Sequence, residues 1–135
     1  MAKAPKFRWY GRNNVRVTTQ WLAALRGADK VHIPFTVNSG VRTEGEQKSL
    51  IATKGCWSPS NKTGAACPWN KSNHVYKGRP NHALDVQTGG EQKLQNWLNS
   101  HRGVKATNPV PGEPWHIEIN RFGLWRLYRM YRKLL

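Results

Sequence analysis

A chain of 135 residues is the size of one domain and buries roughly two-thirds of the surface its unfolded form exposes. Lys and Arg number 22 against 7 Asp and Glu, a net charge of +15, and a field of that sign draws a protein toward polyanions such as nucleic acid, anionic lipid or anionic cell-wall polymer. No stretch approaches the ~20 consecutive apolar residues of a membrane-spanning helix, and Met1 to Tyr10 lacks the apolar run of a secretory signal, so the sequence reads as a chain without a spanning segment or leader.

Residues 1–16 form a basic, polar lead-in. Thr18-Thr19 is an N-cap signal for a short first helix over Gln20 to Arg26, which Gly27 closes. Val31, Ile33, Phe35 and Val37 then alternate as in a strand with one buried face, and Pro34 suits an edge or a strand start. Thr43-Glu44-Gly45-Glu46 has the spacing of a capping box, so a helix runs from there to Lys54 and stops at Gly55, leaving Arg42 just ahead of it.

Residues 56–80 are rich in Pro, Ser, Asn, Lys and Gly without a sustained period, the mark of a long irregular connection. Ala83 to Val86 reads as a short strand, and Gly90 to His101 as a helix that buries Leu94, Trp97 and Leu98 and ends before Gly103. After a Pro/Gly loop comes a strand over Trp115 to Ile119. Its alternation puts His116 and Glu118 on one face and Trp115, Ile117 and Ile119 on the other. The last segment, 122–135, is a basic helix with Leu124, Leu127, Tyr128, Tyr131 and Leu134 on one side. It either packs on the sheet or lies on an anionic membrane surface.

Acids are scarce, so any carboxylate chemistry draws on Asp29, Glu44, Glu46, Asp85, Glu91, Glu113 and Glu118. In Gly112-Glu113-Pro114-Trp115-His116 an acid precedes a histidine by three positions, where a loop enters a strand. With His74 and Asp85 upstream, two imidazoles and a carboxylate leave a fourth zinc position open for water, as catalytic sites do.

Three blocks in order, Ser39-Gly40-Val41-Arg42, then Ser72-Asn73-His74 with Ala83-Leu84-Asp85, then Glu113-Pro114-Trp115-His116, span roughly residues 37–118. In these the chain resembles the D-alanyl-D-alanine carboxypeptidases and dipeptidases and the related phage L-alanyl-D-glutamate endopeptidases that cut peptidoglycan stem peptides. The resemblance implies Zn2+ as cofactor, held by His74, Asp85 and His116. It makes Glu113 the general base and then acid, and Arg42 the cation that orients substrate. Ser72 either supports the site by hydrogen-bonding a ligand or substrate, or is a turn residue.

The implied activity is hydrolysis of a stem peptide by a monomer with no nucleic-acid partner. The enzyme would be made in the cytoplasm and act at the wall of a phage-infected host, its charge aiding adsorption to anionic wall polymer. The fold expected is α+β: one domain with a small, mainly antiparallel sheet packed with helices and zinc in an open cleft.

Two departures stand out. His74 and Asp85 are eleven positions apart where the family has seven, which puts about four extra residues within Val75 to Asn81 and makes His82 a rival to His74 as first ligand; the match of Ser72-Asn73-His74 favours His74. Val41 replaces an aromatic, and Asn81 stands where glycine is expected, a swap that a left-handed turn accepts.

Four other residues have plainer readings: His32 and His101 as structural residues, Glu118 as a salt-bridged strand residue, and Arg42 alternatively as a partner of Glu46. Cys56 and Cys67 are either free or joined across the irregular connection, and they are spaced too widely for a zinc knuckle. The competing functional class is a basic, Trp-rich nucleic-acid-binding protein. Against it, the few acids stand beside histidines, where they would repel a phosphate backbone.

Overall fold

The computed structural model describes residues 7–135. Strands β1 (Phe7–Tyr10) and β2 (Val15–Thr18) form an antiparallel hairpin. Helix α1 (Thr19–Lys30) follows, then β3 (Val37–Ser39), α2 (Glu44–Lys54), a 3-10 turn at Trp69–Lys71, β4 (Leu84–Val86) and α3 (Glu91–Asn99). Strands β5 (Ala106–Thr107) and β6 (His116–Ile119), helix α4 (Arg121–Tyr131) and a 3-10 turn at Arg132–Leu134 complete the chain. The second sheet has the order β3-β4-β6-β5 with every pair antiparallel. The architecture is thus α+β and antiparallel, as the sequence predicts.

Period-two alternation assigns the two faces of this sheet. Leu84, Val86, Ile117 and Ile119 enter a core that also takes Trp21, Leu25, Leu94, Leu98, Leu124 and Leu127. Asp85, His116 and Glu118 occupy the other face. The expected Trp115 is not part of the core: it lies one residue before β6, its carbonyl accepting from Val86 N–H at 2.9 Å, and it is 37% exposed.

The helix starts follow their caps. The Thr18 side chain accepts from the Trp21 N–H, and Thr43 and Glu46 form a reciprocal capping box at the start of α2.

Several local expectations are corrected. The lead-in of 1–16 is largely the hairpin, whose Val15 and Val17 are core residues; its first six positions lie outside the described residues. Gly27 does not end α1. A Cβ there would stand 2.7 Å from Cγ of Tyr131, so the glycine lets the ring of Tyr131 seat against α1, and the helix continues to Lys30.

The alternation at Val31 to Val37 comes mostly from a connection. Val31 caps α1, His32 sits at φ 62°, Ile33 and Phe35 pack on the core without pairing, and only Val37 enters β3. β5 is too short to show a period in sequence. α4 packs on α1, and Arg26 donates to the Leu134 carbonyl at 2.7 Å to hold the C-terminal turn there.

Residues 56–80 are irregular apart from one 3-10 turn, and a disulfide joins Cys56 to Cys67 with 5.5 Å between their Cα atoms. No helix is long and apolar enough to cross a membrane among the described residues.

Candidate metal centre

Sheet register puts the site together. Asp85 in β4 is paired with Ser39 of β3 on one side and with His116 of β6 on the other. The third side chain arrives from the irregular connection, which runs beside residues 41–42: Arg42 N–H donates to the His74 carbonyl at 2.8 Å, and Tyr76 N–H donates to the Arg42 carbonyl at 3.0 Å. Gly40 is required here because a Cβ would fall 2.1 Å from the Arg16 carbonyl oxygen. Ala83 N–H donates to the Asn73 carbonyl at 2.8 Å and ties the other end of this segment to the start of β4.

His74, Asp85 and His116 each offer a ligand atom within 4.8 Å of the others, and they are the group of this kind among the described residues. Nδ1 of His74 lies 2.9 Å from the Gly40 carbonyl. That oxygen only accepts, so Nδ1 carries a hydrogen, and Nε2 is the nitrogen that faces Asp85 Oδ1, at 3.2 Å. Nε2 of His116 donates to Glu118 Oε2 at 2.8 Å, which turns its Nδ1 toward the same Asp85 oxygen at 3.5 Å. Glu118 is held in turn by Asn73 Nδ2 at 2.7 Å. Two imidazole nitrogens and a carboxylate, each histidine fixed from behind by an acceptor, suit a divalent transition metal such as zinc. The group fits the residues present, and these three would hold it.

The electrostatics of the chain alone describe a negative focus. Burial disfavours the Asp85 carboxylate, but hydrogen bonds from His116 and His74 outweigh it and hold the group below the usual carboxylate range. Burial also opposes a charged His116, yet Asp85 and Glu118 raise its pKa to about 9. Glu118 is lowered chiefly by its bond to His116. A cation placed among these groups would take over the role of that proton.

The other sequence-predicted residues are tied to this focus by backbone contacts, a turn or electrostatic fields. Arg42 donates to Ser39 Oγ at 3.1 Å and to Gln47 Oε1 at 3.3 Å, and it is half-buried. Desolvation lowers its pKa, while the fields of Asp85, Glu46 and Glu113 act in the opposite direction. Glu46 itself caps α2 and pairs with Arg16 rather than with Arg42. Glu113 sits in the turn before β6, its carbonyl accepting from His116 N–H at 3.1 Å. Buried Ser72 uses its Oγ to accept from the His74 N–H at 3.3 Å, fixing the turn that carries the histidine.

His82 stands apart. It is 3% exposed, its Nε2 accepts from Thr18 N–H at 3.2 Å, and its Nδ1 donates to the Ala83 carbonyl at 2.9 Å. Both ring nitrogens are therefore occupied by backbone. His32 is an exposed turn residue, and His101 bonds Trp97 and Tyr131. Asn81 is not among the described non-glycine residues at positive φ, which are Asn14 and His32. It instead donates its side-chain amide to the Ile119 carbonyl at 3.0 Å, so no left-handed turn is needed at that position.

Sequence reasoning missed the Gly40 carbonyl, Asn73 and Gln47. Of these, Asn73 carried a signal, being adjacent to His74. A cleft of about 310 Å³ opens beside Asn73 and Glu118, walled by Lys77, Arg79 and Asn81 from the lengthened segment. A larger hollow of about 480 Å³ lies at the hairpin, against Tyr10, Asp29 and Phe35, and contains none of the site residues.

No protein-family model matches the chain, and neither does any curated protein. Among solved structures it is similar to VanYB in complex with D-Alanine-D-Alanine, at 18% sequence identity and a TM-score of 0.49, over 98% of this chain and 86% of that one.

Proposed function

We propose that the protein is a zinc-dependent peptidase acting on peptidoglycan stem peptides, with His74, Asp85 and His116 as metal ligands. The observation that carries this reading is the convergence of those three side chains from two neighbouring strands and the irregular connection, with Arg42 in the fields of both Asp85 and Glu113. The ordered sequence blocks that resemble the D-alanyl-D-alanine peptidases supply the substrate class.

Zinc held by His74, Asp85 and His116 would supply Lewis acidity toward a carbonyl oxygen and toward water. Glu113 accepts a proton from water as the water oxygen bonds to the carbonyl carbon and passes that proton to the departing amine nitrogen, so the C–N bond breaks to give a carboxylic acid and a neutral amine. Arg42, fixed by Ser39 and Gln47, presents a guanidinium edge to a substrate carbonyl or carboxylate. Asn73 and Glu118 hold the His116 ring in one orientation.

The test is metal content of purified wild-type, His74→Ala and His82→Ala proteins, together with mass spectrometry of digested peptidoglycan. One zinc per wild-type chain, lost with His74 and kept with His82, plus a cleaved stem peptide, is the expected result. Absence of both bound metal and cleavage after zinc is supplied would overturn the reading.

A further inference from the structure

The outer face of α4 is unusual for a helix whose other side is fully packed. Gly123, Leu124 and Leu127 are buried against the body of the domain, and Tyr131 covers Gly27 of α1. The opposite side exposes two large rings, Phe122 at 56% and Trp125 at 49%. Their centroids stack 5.9 Å apart, and the Arg129 guanidinium lies 5.1 Å from the Trp125 ring. Arg121, Arg132 and Lys133 are exposed around them, and the sequence has no acidic residue after Glu118.

We propose that this face is a docking surface for an anionic lipid membrane, with the helix lying in the plane of the interface. Charge complementarity selects the occupant. Four exposed cations, none of them in an ion pair among the described residues, suit a sheet of lipid phosphates, and the paired rings suit the headgroup–acyl boundary, where aromatic faces are half in water and half out. A cell-wall polymer in water offers anionic groups but no apolar layer for the rings, and a single-stranded nucleic acid, whose bases could stack on them, would leave the chain behind in a lipid flotation. Helix α4 is neither long nor apolar enough to cross a bilayer, so this face would lie along its surface. The Arg26 to Leu134 bond and the seat of Tyr131 on Gly27 keep the face outward, and no unfolding is needed to present it. This inference is independent of the peptidase reading.

The experiment is flotation of the full chain with vesicles of phosphatidylglycerol and, separately, of phosphatidylcholine. Wild type is expected to float with the first and remain behind with the second. Phe122→Ala/Trp125→Ala should lower the partition coefficient at least about tenfold. Arg129→Glu/Lys133→Glu, which keeps both rings and changes only exposed positions, should lower it by about tenfold or more. Zinc content should stay at the wild-type level in both. Failure of wild type to float with phosphatidylglycerol overturns the proposal. So does wild-type partitioning of the aromatic variant, which would mark a contact with polyanions through charge alone.

Discussion

His82 should act as a pH-dependent weak point of the fold. Burial, with the smaller field of His74, lowers its pKa from 6.5 to about 3 against the opposing bond to Ala83. In the unfolded chain the ring regains its ordinary value, so between these two values the unfolded state binds the extra proton. The stability owed to a neutral His82 is therefore fully present above pH 6.5 and is lost as pH falls toward 3. The slope is about 1.4 kcal/mol per pH unit, which makes the loss between pH 7 and pH 5 about 2 kcal/mol.

Urea unfolding followed by tryptophan fluorescence measures this directly. It should be run with a chelator present, so that metal release plays no part, and compared with His82→Gln, whose amide oxygen can still accept from Thr18 N–H. The variant starts less stable but should lose about 2 kcal/mol less than wild type over that range. The groups around Asp85 titrate in both proteins and cancel in the difference. Equal losses would refute the claim that the fold holds His82 neutral.

Glu113→Gln should keep zinc and fold while turnover falls by about 10²–10⁴; retention of wild-type turnover on purified peptidoglycan would remove Glu113 from proton transfer. Glu118→Gln removes the anionic partner behind His116 and should weaken zinc affinity by roughly 10–100-fold in a competition titration with a chromogenic chelator. Gly27→Ala drives a methyl against the Tyr131 ring and should cost about 1–3 kcal/mol, read as a lower melting temperature in calorimetry. Cys56→Ser/Cys67→Ser should lower stability by about 3 kcal/mol in denaturant titration; an unchanged midpoint would show that the loop is closed equally well by its hydrogen bonds.

Much of the local structure is legible in the residues because it depends on neighbours in sequence. The capping box of Thr43 and Glu46 and the stop at Gly55 are set by backbone groups a few positions away. Ile117 and Ile119 against His116 and Glu118 record the two faces of β6 through strand alternation alone. The hairpin escaped notice because four-residue strands carrying Arg and Trp beside Val show little period, and β5, with two residues, shows none.

Gly27 and His82 show where local reasoning fails. A glycine near the end of an apolar run has the same sequence signature whether it terminates a helix or admits a ring from α4, more than a hundred positions away. A histidine three residues before Asp85 has the same spacing whether it faces a metal or the backbone of Thr18. The sequence by itself determined which residue types were available for metal chemistry, the helix caps and the strand faces, because these follow from composition and short-range periodicity. Tertiary structure alone decided which histidine meets Asp85, what lies behind each imidazole, and which side of α4 remains outside. Those outcomes depend on the register of β4 with β6 and on the close approach of the 74–76 segment to Gly40 and Arg42, contacts between residues distant in the chain.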